Sequence, residues 1–370
     1  MKHLLLFVSI LLLSAVAARG QQAVRPVTRA LHDYDWYVAQ ARYWQQVCAR
    51  EPQRADAWQY YYEANWAAGI VQPGGRPTDP AEIMAAMGRA VPGSFEYQYL
   101  MYRSGDSDLS RYPYLERASA LAPGRSELYP EFVVYYVYAG NDAGRQRANE
   151  AWYRSGEMPE DLLAFGYNLL QSVAPDAVVL TNGDNDTYPL WLVQDALGVQ
   201  TGVRVLNRYM ARKPDYLSRW LREAGYAPLT ADPAQPDFEA RLVQHLVAGR
   251  RPLYFSLTLA ADFTEPYRDK LYLTGLASRY SAPRFDNIAV LRRNIEQHFL
   301  LDHLRVALRP VPEAELRVLL RQNYLTPLLT LHRSYRQAGE TARATALAAL
   351  IRTLARAHGQ EAEIARLLEE

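Results

Sequence analysis

A single cysteine, Cys48, occurs in 370 residues, so no intramolecular disulfide can form and the fold must rest on its core. The stretch around it, Trp36–Arg50, is helical in pattern, and a cysteine there reads as a small buried apolar residue rather than a nucleophile. An excess of either charge is also missing: 41 Lys and Arg face 40 Asp and Glu. A nucleic-acid partner normally demands a basic face, so this balance argues against one. No long apolar run follows the first residues, and no transmembrane segment is expected in the mature chain. Catalytic signatures are lacking too. There is no Gly-x-Ser-x-Gly elbow, phosphate loop or dinucleotide glycine pattern.

What is present begins with a leader. Lys2 and His3 give a basic start, Leu4–Leu13 is apolar apart from Ser9, and Ala15-Val16-Ala17 and Ala18-Arg19-Gly20 both offer small-residue cleavage sites. This is the plan of a secretory signal peptide, here residues 1–20. The protein is therefore expected to be exported: periplasmic, cell-surface or secreted. The apolar core falls short of the roughly 20 residues of a membrane span, which weighs against the alternative of an uncleaved N-terminal anchor. No cysteine follows closely, so lipid attachment is not indicated. Removing Lys2 and Arg19 with the leader moves the formal charge from +1 to −1.

From Leu31 to about Ala174 helix follows helix. Asp33–Arg50 and Ala55–Gly69 are joined by a short link whose Pro52 lies between helices, where it breaks nothing. Trp58, Tyr62 and Trp66 share one helix face. Such a stripe can stack sugars, but in paired helices it reads as packing. The segments Ala49–Ala64 and Ala120–Tyr129 have the cadence of tetratricopeptide repeat junctions, as does the set Leu331, Tyr335, Gly339, Ala342, Ala346 and Ala349. Residues 21–174 and 283–370 are thus expected to be helical hairpins resembling such repeats. The Arg-rich stretch Arg343–Arg366 reads as a solvated helix face.

Between them the pattern changes. Ala177–Thr181 is a short β-branched apolar run, the mark of a buried strand. A helix at Pro189–Gly198, a strand at Val203–Asn207, helices at Pro214–Gly225 and Phe238–Gly249 and a strand at Leu253–Leu259 follow, with Leu271–Leu276 as a further strand. Pro228–Pro236 reads as a surface loop. The alternation predicts an α/β module over 175–282. The expected fold class is mainly α with an α/β module, in which helical hairpins flank a small parallel βαβ sheet.

One motif looks like a site. Thr181-Asn-Gly-Asp-Asn-Asp-Thr187 follows the first strand and precedes a helix, at the strand end where α/β layers face ligands. Asn182, Asp184, Asn185, Asp186 and Thr187 are the candidate ligand-binding residues. Asp184 and Asp186 offer hard oxygen donors for a divalent cation, Ca²⁺ or Mg²⁺/Mn²⁺, and the set equally suits sugar hydroxyls. The alternative is turn and cap: Gly183 supplies a positive φ, Asp186 or Thr187 caps the helix, and Pro189 sits in its first turn. Elsewhere, His298 and Asp302 lie four apart in Asn294–His303 and are expected to form an ion pair on one helix face, beside His303.

The run Thr181–Trp191, followed by Val203-Arg-Val-Leu-Asn207, resembles the soluble C-terminal region of DUF2723 proteins, which are multi-pass membrane proteins related to protein O-mannosyltransferases. The likeness extends from about Asp161 to Leu259, roughly a quarter of the chain, and marks Asp184, Asn185 and Asp186 as the signature loop. Transfer chemistry in that family is attributed to the membrane-embedded part, which this chain lacks. The resemblance implies a shared module and an envelope or glycan setting. The sequence thus points to a non-catalytic binding or scaffold protein of the cell envelope, with an envelope protein as partner and a glycan as a candidate ligand. The alternative is a metal-dependent enzyme acting on glycans through Asp184-Asn185-Asp186.

Overall fold

The computed structural model describes residues 22–27, 30–306, 320–357 and 359–369. The expected leader, 1–20, and part of the helical region expected over 283–370 lie outside these. The protein is mainly helical with one small sheet, and it divides into two compact units, 1–135 and 136–370.

The first unit holds helices α1 (Tyr34–Arg50), α2 (Ala55–Val71), α3 (Pro80–Ala90), α4 (Phe95–Arg103) and α5 (Tyr112–Leu121). The unit boundary falls within α6 (Leu128–Ala139). Helix starts follow side-chain caps. Asp33 accepts from Trp36 N at 2.7 Å, Asp79 from Ala81 N at 2.8 Å, and Ser94 from Tyr97 N at 3.1 Å. α1 buries Tyr37, Ala41, Trp44 and Cys48, one stripe at helical spacing, and α2 packs along it. Tyr62 is buried, and Trp58 and Trp66 pack against the same core, so that aromatic stripe is packing. Inside this unit Arg103 pairs with the buried Glu63 and, at 3.5 Å, with Glu131.

In the second unit α7 (Asp142–Ser155) and α8 (Glu160–Gln171) lead into the sheet. Its strands are β1 (Val178–Thr181), β2 (Arg204–Asn207), β3 (Leu253–Ser256), β4 (Leu271–Leu273) and β5 (Ala277–Tyr280), in the order β2-β1-β3-β5-β4. β1 is central and buried throughout, and pairs in parallel with β2 and β3. Helices α9 (Tyr188–Leu197), α10 (Pro214–Glu223) and α11 (Phe238–Val247) make the crossovers. α8 approaches the start of α9 so closely that a Cβ at Gly166 would stand 2.8 Å from Pro189 Cβ.

The parallel trio is as expected, but the segment after it is not one more strand of the same kind. β4 and β5 form an antiparallel hairpin, and β5 runs antiparallel to β3, so the sheet is mixed. The reversal is tight: Gly275, at φ +153, takes a backbone conformation open to glycine. Thr274 Oγ1 donates to Ser172 O at 2.8 Å, and Leu276 N to Ser172 Oγ at 2.8 Å, pinning the turn to the end of α8.

α12 (Asn287–Arg293) continues into a π-helical turn, Asn294–His298, and the backbone is extended at Phe299. The continuous helix expected over Asn294–His303 therefore does not form. Asp302 opens a separate turn and pairs with Arg305 at 2.9 Å. The break has a cause, since Asn294 Nδ2 donates to Thr274 O at 2.8 Å and Asn168 holds both polar groups of Leu300. The chain ends in α13 (Leu325–Gln337), α14 (Thr341–Ala357) and α15 (Glu361–Glu369).

Candidate functional site

The loop between β1 and α9 stands at the carboxyl ends of the parallel strands, where β2 and β3 also end. Its residues take two different parts. Asp186 is buried, 3% exposed, and turns back into the loop: Oδ1 accepts from Gly183 N at 2.7 Å and Oδ2 from Asn182 N at 2.8 Å. Oδ2 also accepts from Thr258 Oγ1, and Thr258 in turn bonds Ser256 Oγ at 2.7 Å. One carboxylate thus ties the loop after β1 to the loop after β3. Burial pushes the Asp186 carboxyl above the usual range, while the Thr258 hydroxyl and the two amides pull it down.

Thr187 is fully buried and bonds Thr181 Oγ1 at 2.7 Å, while Asn207 Nδ2 donates to it at 3.0 Å. Asn207 Oδ1 accepts from Tyr209 N at 2.9 Å and Met210 N at 3.1 Å, turning the chain after β2. Three strand ends are therefore laced together by side chains.

The turn-and-cap expectation is corrected on two points and holds on a third. Gly183 lies at φ −155, extended backbone rather than a positive φ. Neither Asp186 nor Thr187 caps α9 with its side chain, because both are committed to the strand ends. Pro189 does sit in the first turn of α9. Asp184 and Asn185 form the short 3₁₀ turn of the loop and are half-buried. Asn182 Oδ1 is buried with no donor among the described residues.

Beyond β2 the edge is rimmed by charge and an aromatic ring. Arg208 N donates to Thr181 O at 3.0 Å, and its guanidinium bonds Glu239 through two contacts of 3.2 Å. Tyr209 beside it is 56% exposed, with Arg208 over its ring at 5.1 Å. The sequence places the acidic loop at this edge and a strand at Leu253–Leu259 beside it. Sequence reasoning misses the Asp186–Thr258 tie, the lacing role of Asn207, and Tyr209. An asparagine closing a strand was the one available signal, since such side chains turn the backbone beyond them.

For a cation, Asp186 would have to exchange donors that already occupy both oxygens. Among the described residues no group of three or more His, Cys, Asp or Glu side chains is gathered as a metal shell. No helix among them is long and apolar enough to cross a membrane.

No curated protein and no solved structure matches the chain. One family model does: residues 162–235, about a fifth of the chain and the part that carries β1, the acidic loop, β2 and α10, are similar to TMEM260-associated domain 2.

Proposed function

We propose that this is an exported, non-catalytic binding protein of the cell envelope, and that the α/β module recognises a hydroxyl-rich ligand, a glycan, at the carboxyl ends of its strands. The observation that supports this is the division of labour in the loop. Asp186 and Thr187 fix its shape through bonds to its own chain. Asp184, Asn185 and the exposed ring of Tyr209 stand at the same edge and present polar and aromatic groups there. Carboxylates, carboxamides and an aromatic face are what sugar hydroxyls and C–H faces pair with. The likeness to TMEM260-associated domain 2 and the DUF2723-like loop favour a glycan-handling setting, and the helices offer surface for an envelope protein partner.

A second reading, a metal-dependent enzyme acting on glycans, has in its favour that Asp184 and Asp186 stand at a strand end. One set of measurements separates the two. Thermal melts of the protein are recorded with Ca²⁺, Mg²⁺ or Mn²⁺ against chelator, and mannosyl oligosaccharides are titrated by calorimetry. The same is done with Asp184→Ala and Tyr209→Ala. The binding reading expects saturable oligosaccharide binding, lost in both variants and indifferent to chelator. A cation at 100 times its dissociation constant adds about 2.7 kcal/mol of stability. A shift of that size, abolished by Asp184→Ala, would replace the binding reading with the enzymatic one. Absence of both effects would remove the loop as a site.

A further inference from the structure

We propose a second site, remote in sequence from the acidic loop: the hollow between α13, α14 and α15 binds a phosphate-type dianion, the phosphate group of a small phosphomonoester. The hollow has a volume of about 350 Å³. Two helix faces build it from spacing alone. His332 and Arg336 lie four apart on α13, and Thr341, Thr345, Ala348 and Arg352 form one stripe of α14. Leu368, near the end of α15, closes it.

The lining is cationic and rich in donors. No carboxylate side chain lines it among the described residues. Arg352 is exposed and makes no ion pair or hydrogen bond among the described residues, unlike Arg343 one face away, which bonds Glu340. Arg336 is oriented by its Nη1, which donates to Leu368 O and Glu369 O at 2.7 Å each. His332 is 4% exposed, and its Nδ1 is buried without a partner among the described residues, a cost that buried polar groups rarely bear unmatched. Of the two carboxylates next in sequence to the lining, Glu340 is engaged by Arg292 at 2.8 Å and by Arg343, and Glu369, beside Leu368, is exposed.

The class of ligand follows from charge and donor number. Two guanidinium groups offer more N–H donors than the two oxygens of a carboxylate pair with, and the Thr345 hydroxyl adds another, while the Thr341 hydroxyl donates to Gly339 O. A phosphomonoester carries about −1.5 to −2 at neutral pH and three acceptor oxygens, which matches two arginines. Separately, burial first, and then the guanidinium groups of Arg336, Arg352 and Arg333, push the His332 imidazole below its ordinary value.

The test is calorimetric titration of the full chain with glucose 6-phosphate and with inorganic phosphate, at ionic strength held constant with chloride. Arg352→Gln is the diagnostic variant, because it removes an exposed charge that the fold does not use. Arg268→Gln, at an exposed arginine paired with Glu265 on another part of the chain, is the control. Saturable one-to-one binding, about tenfold weaker in Arg352→Gln and unchanged in Arg268→Gln, is expected. Phosphate and ester binding alike marks a bare oxyanion site, and tighter ester binding marks contact with the organic part. No saturation at millimolar ligand, or equal weakening in both variants, overturns the proposal.

Discussion

Asp186 is the residue on which the strand-end loop turns. Replacing it with alanine leaves two backbone amides and the Thr258 hydroxyl without their acceptor, and we expect a loss of about 3 kcal/mol in urea unfolding. The pH dependence of that contribution has a definite sign. Burial holds the carboxyl above its unfolded value, so the folded state holds that proton more tightly. The contribution is whole below the unfolded pKa, about 3.9, and is lost as pH rises through the folded value. The stability of the wild type relative to Asp186→Asn should therefore fall from about pH 4 towards neutrality, and a gap that widened with pH would contradict it. The acidic loop itself was legible, because Asn, Gly and Asp crowd together directly after an apolar run. Its internal roles were not. The donor that completes Asp186, Thr258, is 72 residues away, and nothing in a seven-residue motif announces a partner brought up by another strand.

The elements show the same divide. β1 could be read because a central strand buries every side chain and so becomes an unbroken apolar run. β5, Ala-Ser-Arg-Tyr, is half-exposed and carries two polar residues, and its strand state comes from pairing with β3 and β4. The helix expected through Phe299 breaks because the Asn168 side chain of α8 and the Thr274 carbonyl of the β4–β5 turn bind this segment more strongly than its local helical pattern does. β2 is the informative element for testing. Arg204 and Arg208 turn their amides to β1, so the carbonyls of Val203 and Val205 face the open side of the sheet. Gln194 Nε2 donates to Val203 O and to Gln200 O at 2.9 Å each, and Trp220 Nε1 to Val205 O at 3.0 Å. Gln194→Leu should cost about 2 kcal/mol and speed hydrogen exchange along β2. Unchanged exchange would show that the amide does not cover this edge.

At the scale of the whole molecule each unit must be held without covalent cross-links, and Cys48 reports on the first. It is 3% exposed, and burial pushes its thiol up to about 12. Thiolate is the reactive form, so iodoacetamide should leave the native protein untouched. Labelling should appear only along the urea transition of the first unit, and fast reaction without denaturant would contradict the packing of α1 described above. The sheet of the second unit carries a broader consequence. One border is sealed by the Gln194 amide and the Trp220 indole, and the other is a strand of three residues, β4, too short to template a neighbour. Both sealing side chains fall inside residues 162–235. A sheet hemmed along one border and cut short along the other can crowd against its neighbours without seeding a shared strand.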